Sequence, residues 1–158
     1  MALRNIRKFS DEILRKKSRE VTVFDGRLYE LLDDMAETLN EANGAGISAV
    51  QVGVLRRAAL VCDGDRVIEL INPVIIDSSE ETVSAAEGCL SFPGRWGEVT
   101  RPKRVTVRAQ DRNGDIFEHT GEDITARALC HELDHLDGVI FMDLATEMLE
   151  DEDPGDGE

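Results

Sequence analysis

Apolar residues recur at helical spacing in two stretches of the chain. Over residues 25–42, leucines and a methionine recur every three or four positions, and Asn43-Gly44 follows as a stop signal. The same spacing predicts a second helix over residues 123–136, which Gly138 is placed to end. We expect one more short helical piece over residues 144–149.

Between these helices the pattern changes to β. The predicted strands span residues 58–62, 67–72, 74–76, 82–86, 105–109 and 116–119. Asp63-Gly64-Asp65 and Asn113-Gly114 separate two pairs of them, which predicts two hairpins. Residues 1–24 have no clear period, and we expect a strap over the core. This succession predicts an α+β fold.

Length and charge narrow the classes of function. At 158 residues the chain predicts one domain, placed at 1–145, with an acidic, disordered tail at 146–158. Lys and Arg number 18 against 33 Asp and Glu, a formal net charge of -15, which argues against DNA and anionic membranes as partners. We find no apolar run of the roughly 18 residues that a membrane span needs. We find no signal peptide either, and therefore expect a cytoplasmic protein.

Gly44 to Gly53 contains G-x-G-x-x-A, a loose version of a dinucleotide-binding fingerprint. That fingerprint should follow a strand and open a helix. Here it follows a predicted helix and continues into strand-like sequence, so we reject a nucleotide site. The glycines instead suit a sharp turn or a close approach of the backbone to a ligand.

The second predicted helix contains His131-Glu132-Leu133-Asp134-His135, an H-E-x-x-H motif. Residues four apart share a helix face, so His131 and His135 can bind one metal ion. Glu132 is placed to reach a water on that metal rather than to act as a ligand. The chain has three histidines, and the third, His119, lies outside the motif on a predicted strand. We interpret His119 as a surface or half-buried residue.

Two histidines need a third ligand, and the sequence offers candidates on both sides of them. Downstream, Glu147 or Glu150 would give the arrangement of a zincin peptidase. Upstream, Cys89 stands in Glu87-Gly88-Cys89-Leu90-Ser91, and a thiolate is a strong ligand for iron(II) or zinc. We favour Cys89, although a lone cysteine is more often buried and structural. Cys62 and Cys130 are interpreted as packing residues, and three cysteines make a poor disulfide framework.

Three segments in order carry a family resemblance: Gly44-x-Gly46-Ile47-Ser48-Ala49-x-Gln51, Glu87-Gly88-Cys89-Leu90-Ser91 and His131-Glu132-x-x-His135. From about residue 4 to 142 the chain resembles the peptide deformylases. The resemblance implies mixed and antiparallel strands around a central helix that carries H-E-x-x-H, with the N-terminal helix outside. It implies Cys89, His131 and His135 as ligands of one divalent metal, usually iron(II), with zinc, nickel or cobalt able to replace it.

The resemblance also implies the other roles in the site. Glu132 would be the general acid/base, and Gln51 and the Leu90 backbone N–H would donate to the oxyanion. The substrate site would include Gly44, Gly46, Ile47, Glu87 and Gly88, with the Gly46 backbone pairing with an extended peptide and Glu87 supporting the site. Ile47 and Ala128 are candidates to line a methionine pocket. The implied substrate is the N-formyl-methionine end of a newly synthesised polypeptide.

This chemistry suits the residue types. A metal lowers the pKa of bound water from about 15.7 towards 7. That water would attack the formyl carbon, and Glu132 would take its proton and return it to the departing amine, releasing formate. A zincin peptidase, a structural metal site and an inactive relative remain alternatives. We expect a monomer. The sequence departs from the family at Cys130, where many relatives have glutamine, and at the acidic C-terminus, which would be repelled by ribosomal RNA.

Overall fold

In the computed structural model of the protein, which describes residues 2–149, eight strands form two antiparallel sheets. The five-stranded sheet has the order β1-β2-β3-β6-β7, and the three-stranded sheet has the order β4-β5-β8. The strands are β1 (Gly46–Ser48), β2 (Ala58–Asp63), β3 (Arg66–Ser78), β4 (Thr82–Cys89), β5 (Phe92–Pro102), β6 (Arg104–Gln110), β7 (Ile116–Glu122) and β8 (Glu147–Leu149). The helices are α1 (Gly26–Ala42), α2 (Ile124–Leu136) and α3 (Phe141–Leu144).

The α+β class is confirmed. Within the described residues, the one parallel pairing is the isolated bridge between Arg19 and Arg56, so the mixed pairing expected inside the sheets is not found. No helix over residues 2–149 is long and apolar enough to cross a membrane.

Helix α1 is fixed at both ends by the residues that predicted it. The Asp25 carboxylate accepts hydrogen bonds from the backbone N–H of Arg27 and Leu28, and Asn43 adopts a left-handed conformation with φ of 57°. The leucines and methionine of its apolar face are buried in one cluster with Ile47. This helix therefore covers the β1–β2 side of the larger sheet.

Helix α2 contacts strands of both sheets. Leu129 and Leu133 pack in a cluster with Val61, Val105 and Val107 of the larger sheet. The far side of the helix meets β5. Consequently α2 holds side chains at the boundary between the sheets, where β4 also ends.

The N-terminal strap interpretation is confirmed for residues 2–24. Leu14 is fully buried, and the backbone N–H of Arg7 and of Ser18 donate to the carbonyls of Gln51 and Leu136, at 2.7 and 2.8 Å. The strap thus crosses the region where the functional motifs lie.

Strand β3 joins two of the predicted strands. Asn72, with φ of 53°, produces a bulge between them rather than a break. Its side chain binds the N-terminal strap beside the bulge: Oδ1 accepts from the Val21 N–H and Nδ2 donates to the Val21 carbonyl. Asn72 thus joins the N-terminal strap to β3, whose pairing with β6 resumes at Val74.

Strand β5 was not predicted, and the C-terminal expectations were partly wrong. Pro93, Gly94 and Gly97 are residue types that strands disfavour, and they obscured the pattern of β5. The helix expected over residues 144–149 is not found: α3 ends at Leu144, and residues 147–149 form β8, which pairs with the open edge of β5. The tail expected from 146 therefore starts with ordered residues. The rest of that tail, 150–158, lies outside the described residues, as does Glu150 as a candidate ligand.

Candidate active site

Cys89, His131 and His135 meet at the boundary between the sheets. Cys89 ends β4, where the chain turns back into β5, and the two histidines lie on α2. One candidate ligand atom from each of these residues lies within 4.8 Å of the other two, and Cys89 Sγ is 3.2 Å from His135 Nε2. Ligands bound at about 2.0–2.3 Å in a tetrahedron lie about 3.5 Å apart, so this triangle fits a metal ion. Sulfur and imidazole donors suit zinc or iron(II).

The orientation of His131 and the neutral state of His135 also fit a metal site. His131 Nδ1 is 2.6 Å from Glu87 Oε2, which leaves Nε2 available for a metal. Burial alone would lower the pKa of His131, but hydrogen bonds with Cys89 and Glu87 raise it well above the usual value. Burial and the adjacent His131 hold the pKa of His135 well below its usual value, which keeps it neutral. The His135 Nδ1 atom is buried without a hydrogen-bond partner among the described residues.

Two arginines saturate the carboxylate of Glu87. Arg101 donates through Nε to Oε1 at 3.1 Å and through Nη2 to Oε2 at 2.7 Å, while Arg127 donates to Oε1 at 2.9 Å. Arg101 also donates to Asp134 of α2 at 2.7 Å. Burial alone would raise the pKa of Glu87, but hydrogen bonds from His131 and Arg101 lower it to about 2. Glu87 is therefore ionised and holds the His131 ring in one orientation.

Glu132 is buried beside Gly46. A Cβ atom added to Gly46 would lie 2.8 Å from Glu132 Oε2, so the absence of a side chain there leaves room for the carboxyl group. Glu132 Oε1 has no hydrogen-bond partner among the described residues. Burial raises the pKa of Glu132 to about 7, and the nearby Glu87 and Asp134 add to the rise. A carboxyl with such a pKa can accept and return a proton near neutral pH.

Gln51 is oriented by its neighbours. Its Oε1 accepts from the Ser48 backbone N–H at 2.9 Å, and since that group can only donate, the amide oxygen must face it. Nε2 then points the other way, 3.1 Å from Ser91 Oγ and 3.5 Å from Cys89 Sγ. Gln51 thus presents N–H donors beside the metal triangle.

A cavity of about 450 Å³ opens onto Cys89, His131 and Glu132. Four of the five predicted substrate residues line it: Gly44, Gly46, Glu87 and Gly88. The lining also includes Leu90, Ala128, His131 and Glu132. Ile47 is not part of the lining. Side chains alternate along β1, so Ile47 points away from the cavity and is fully buried against α1. Its predicted place in the methionine pocket is therefore wrong.

Sequence reasoning missed Trp96, Arg127 and Ser91. Trp96 lies at the cavity rim, packed so closely on Gly88 that an added Cβ would lie 2.7 Å from the indole ring. Arg127 precedes His131 by one helical turn, and this four-residue spacing was a usable signal. Nothing in the sequence marked Trp96 or Ser91 as neighbours of Gly88 and Gln51.

The remaining candidates are placed as expected. Cys130 is buried in the core, and burial raises its pKa to about 11. Cys62 is half-buried on β2 and packs at the edge of the α1 cluster. His119 is half-buried, with Nε2 2.7 Å from Asp63 Oδ2. Glu147 is exposed on β8, and among residues 2–149 the metal-sized group found is Cys89 with the two histidines.

Known proteins match this chain over almost its whole length. A family model described as polypeptide deformylase matches residues 3–150. A peptide deformylase of Caldicellulosiruptor bescii is 53% identical over 153 residues, covering 97% of this chain and 92% of the relative. The crystal structure of the peptide deformylase from Thermotoga maritima superimposes with a TM-score of 0.89 at 38% identity, covering 92% of this chain and 99% of that one. The actinonin-bound peptide deformylase of Acinetobacter baumannii gives a TM-score of 0.87 at 32% identity, covering 92% of this chain and 100% of that one.

Proposed function

Because the chain belongs to the polypeptide deformylase family, we propose that it hydrolyses the formyl group from the formyl-methionine end of new polypeptides, using Cys89, His131 and His135 to hold a divalent metal. The family makes the protein a hydrolase of N-terminal processing. The proposal about this chain's own residues rests on one observation. Cys89 and His131 of the metal triangle line the cavity together with Glu132, and Gln51 Nε2 lies behind them, 3.5 Å from Cys89 Sγ.

The metal, when bound, would supply a Lewis acid that activates water and polarises the formyl oxygen. Iron(II) is the expected ion, and zinc, nickel and cobalt suit the same donors. Glu87 keeps the His131 Nδ1 proton in place, so that Nε2 faces the site. The proton on His131 must leave for this nitrogen to become a ligand, and metal binding therefore weakens as pH falls.

Glu132 carries the proton transfers. Its free Oε1 is buried next to the site, and a pKa of about 7 lets the carboxylate take a proton from water. The same carboxyl can then protonate the departing α-amine. The surrounding burial keeps bulk water from competing for this proton.

Gln51 and Leu90 stabilise the charge that develops on the formyl oxygen. The hydrogen bonds from Ser48 fix the Gln51 amide before substrate arrives, which avoids a reorientation cost during the reaction. The backbone N–H of Leu90 directly follows the ligand Cys89 in the turn between β4 and β5. Losing one such donor typically costs about 2.7–4 kcal/mol of transition-state stabilisation.

The peptide would bind as an added strand. β1 is an edge strand of the larger sheet, and Gly44 and Gly46 line the cavity beside it. An extended peptide can pair with such an edge through backbone hydrogen bonds, without demands on its sequence. A cavity of about 450 Å³ holds one methionine side chain together with the formyl end. The small side chain of Ala128 leaves it room.

The proposed substrate places the protein in the cytoplasm, where translation supplies formylated chains. Docking on the ribosome is left open, since the acidic residues 150–158 would be repelled by ribosomal RNA. A monomer and a single domain remain our expectations.

Formate release tests the proposal. The parent protein, loaded with iron(II) in the absence of oxygen, is incubated with formyl-Met-Ala-Ser, and formate and free amine are quantified. We expect release by the parent, and loss of release in Glu132→Ala and Cys89→Ala. No formate from the parent would refute the function, whereas a fully active Cys89→Ala protein would refute the ligand assignment. Cleavage at internal peptide bonds would instead indicate a zincin peptidase.

A further inference from the structure

The three proposed metal ligands come from two separate elements. Cys89 ends β4, while His131 and His135 belong to α2. The distances between their ligand atoms therefore depend on how firmly the helix is docked on the small sheet. Whatever joins α2 to β4 and β5 controls the shape of the site.

Arg127 makes this connection on the cavity side. Its Nη1 donates to Glu87 Oε1 and to the Val99 carbonyl, both at 2.9 Å, and its Nη2 donates to the Val83 carbonyl at 2.8 Å. Val83 and Glu87 lie on β4 and Val99 lies on β5, so one guanidinium from α2 contacts both strands. The side chain is 14% exposed and lines the cavity.

Arg101 forms the complementary clamp. It originates from β5, binds Glu87 through two nitrogens and reaches Asp134 on α2. The two bonds from Arg101 fix the plane of the Glu87 carboxylate. On α2, however, Arg101 binds only the side chain of Asp134, which is itself flexible. Arg127 adds bonds to two backbone carbonyls, which cannot rotate away. Both arginines share Glu87 Oε1, and the other oxygen is then directed to His131 Nδ1.

We infer that Arg127 is a positioning residue for the metal centre, which acts through Glu87 on His131 and keeps α2 in register with the strand that carries Cys89. This inference rests on the proposed metal site. Outer-shell partners of metal-ligating histidines typically change metal affinity by about 10- to 100-fold. We expect a loss in this range when Arg127 is replaced.

Metal affinity, measured by competition with a chromogenic chelator for cobalt(II), tests the inference without relying on turnover. The variants are Arg127→Met, Arg127→Lys and the control Arg108→Met. Arg108 is exposed on β6 and donates to Glu118 at 3.2 Å. We expect Arg127→Met to bind cobalt about 10- to 100-fold more weakly. Lysine keeps one charged donor group, so the cobalt affinity of Arg127→Lys should lie between those of the parent and Arg127→Met. The cobalt affinity of Arg108→Met should match that of the parent.

A double-mutant cycle separates positioning from general stability. In a Glu87→Gln background, the carboxylate through which Arg127 acts is gone, so Arg127→Met should weaken cobalt binding less than in the parent. The cobalt absorption spectrum of Arg127→Lys should also differ from that of the parent, because the substitution changes the geometry of the three ligands. Should Arg127→Met not fold, the same cycle is run with Arg127→Lys.

Two outcomes would overturn the inference: unchanged cobalt affinity in both Arg127 variants, or an equal loss with and without the Glu87 carboxylate. If the parent itself binds no metal, the proposed function fails instead, and the two failures are thereby distinguished.

Discussion

Replacing Glu132 by glutamine should make the protein inactive and, at alkaline pH, more stable. The carboxyl is buried, its Oε1 atom has no partner among residues 2–149, and its pKa is raised to about 7 from 4.5. Ionising it in the folded protein is therefore unfavourable. Glutamine has nearly the same shape and no charge, so it removes this cost along with the proton transfer.

The sign and size follow from the linkage between proton binding and folding. Between pH 4.5 and 7 the folded state keeps the Glu132 proton that the unfolded state releases, so stability falls as pH rises through this window. At about 1.36 kcal/mol for each unit of pKa shift, the loss reaches about 3 kcal/mol above pH 7. Below pH 4.5 both states hold the proton, and parent and Glu132→Gln should have similar stability.

Urea unfolding of chelator-treated, reduced protein at pH 5 and pH 8 measures the effect. We expect Glu132→Gln to exceed the parent in free energy of unfolding at pH 8 by up to about 3 kcal/mol, with most of the difference gone at pH 5. Glu80→Gln, at an exposed position, is the matched control and should show no such change. Loaded with metal, Glu132→Gln should lose about 10²- to 10⁴-fold in deformylation rate. A stability difference that does not vary with pH would refute the reasoning.

Three further substitutions test separate parts of the structure. Gln51→Leu removes the oriented amide donor and should lower kcat/KM for a formyl-Met peptide about 10²- to 10³-fold while cobalt affinity, measured by chelator competition, changes little. Gly46→Ala would place a Cβ 2.8 Å from Glu132 Oε2 and 3.0 Å from the Leu60 carbonyl, so kcat should fall in steady-state assays, and parent-like kcat would contradict this. Gly138→Ala meets the Arg15 carbonyl and a φ of 77°, and should lower unfolding free energy by about 1–3 kcal/mol in urea melts.

The elements that the sequence predicts well are those whose signals lie within one short stretch of the chain. Helix α1 has its cap, its apolar spacing and its stop within one continuous stretch, and the prediction differs from the structure by one residue. Strand β5 lacks such signals because Pro93, Gly94 and Gly97 interrupt it. It forms since β4 and β8 pair with its two edges, and those partners are distant in sequence. Tertiary pairing, rather than propensity, decides this strand.

The site residues also differ in whether local sequence or only the fold shows that they meet. His131 and His135 are four residues apart, and helix geometry alone predicts that they converge. Cys89 is favoured by its chemistry and by the family resemblance, because no spacing in the sequence shows that the end of β4 meets α2. Ile47 was misplaced for the opposite reason: it belongs to a motif whose glycines line the cavity, yet strand alternation turns its side chain into the core. Membership in a motif does not determine which face a residue occupies.

The role of Arg127 follows from its spacing in the sequence together with its partners in the fold. Its spacing to His131 places both on one helix face, and that much is readable from the sequence. Its partners Val83, Glu87 and Val99 lie 28 to 44 positions away, on two strands that only the fold brings together. A buried arginine requires acceptors, and a buried carboxylate beside a metal-binding histidine requires donors. Each group supplies what the other lacks, and so the docking of α2 and the orientation of His131 depend on the same hydrogen bonds.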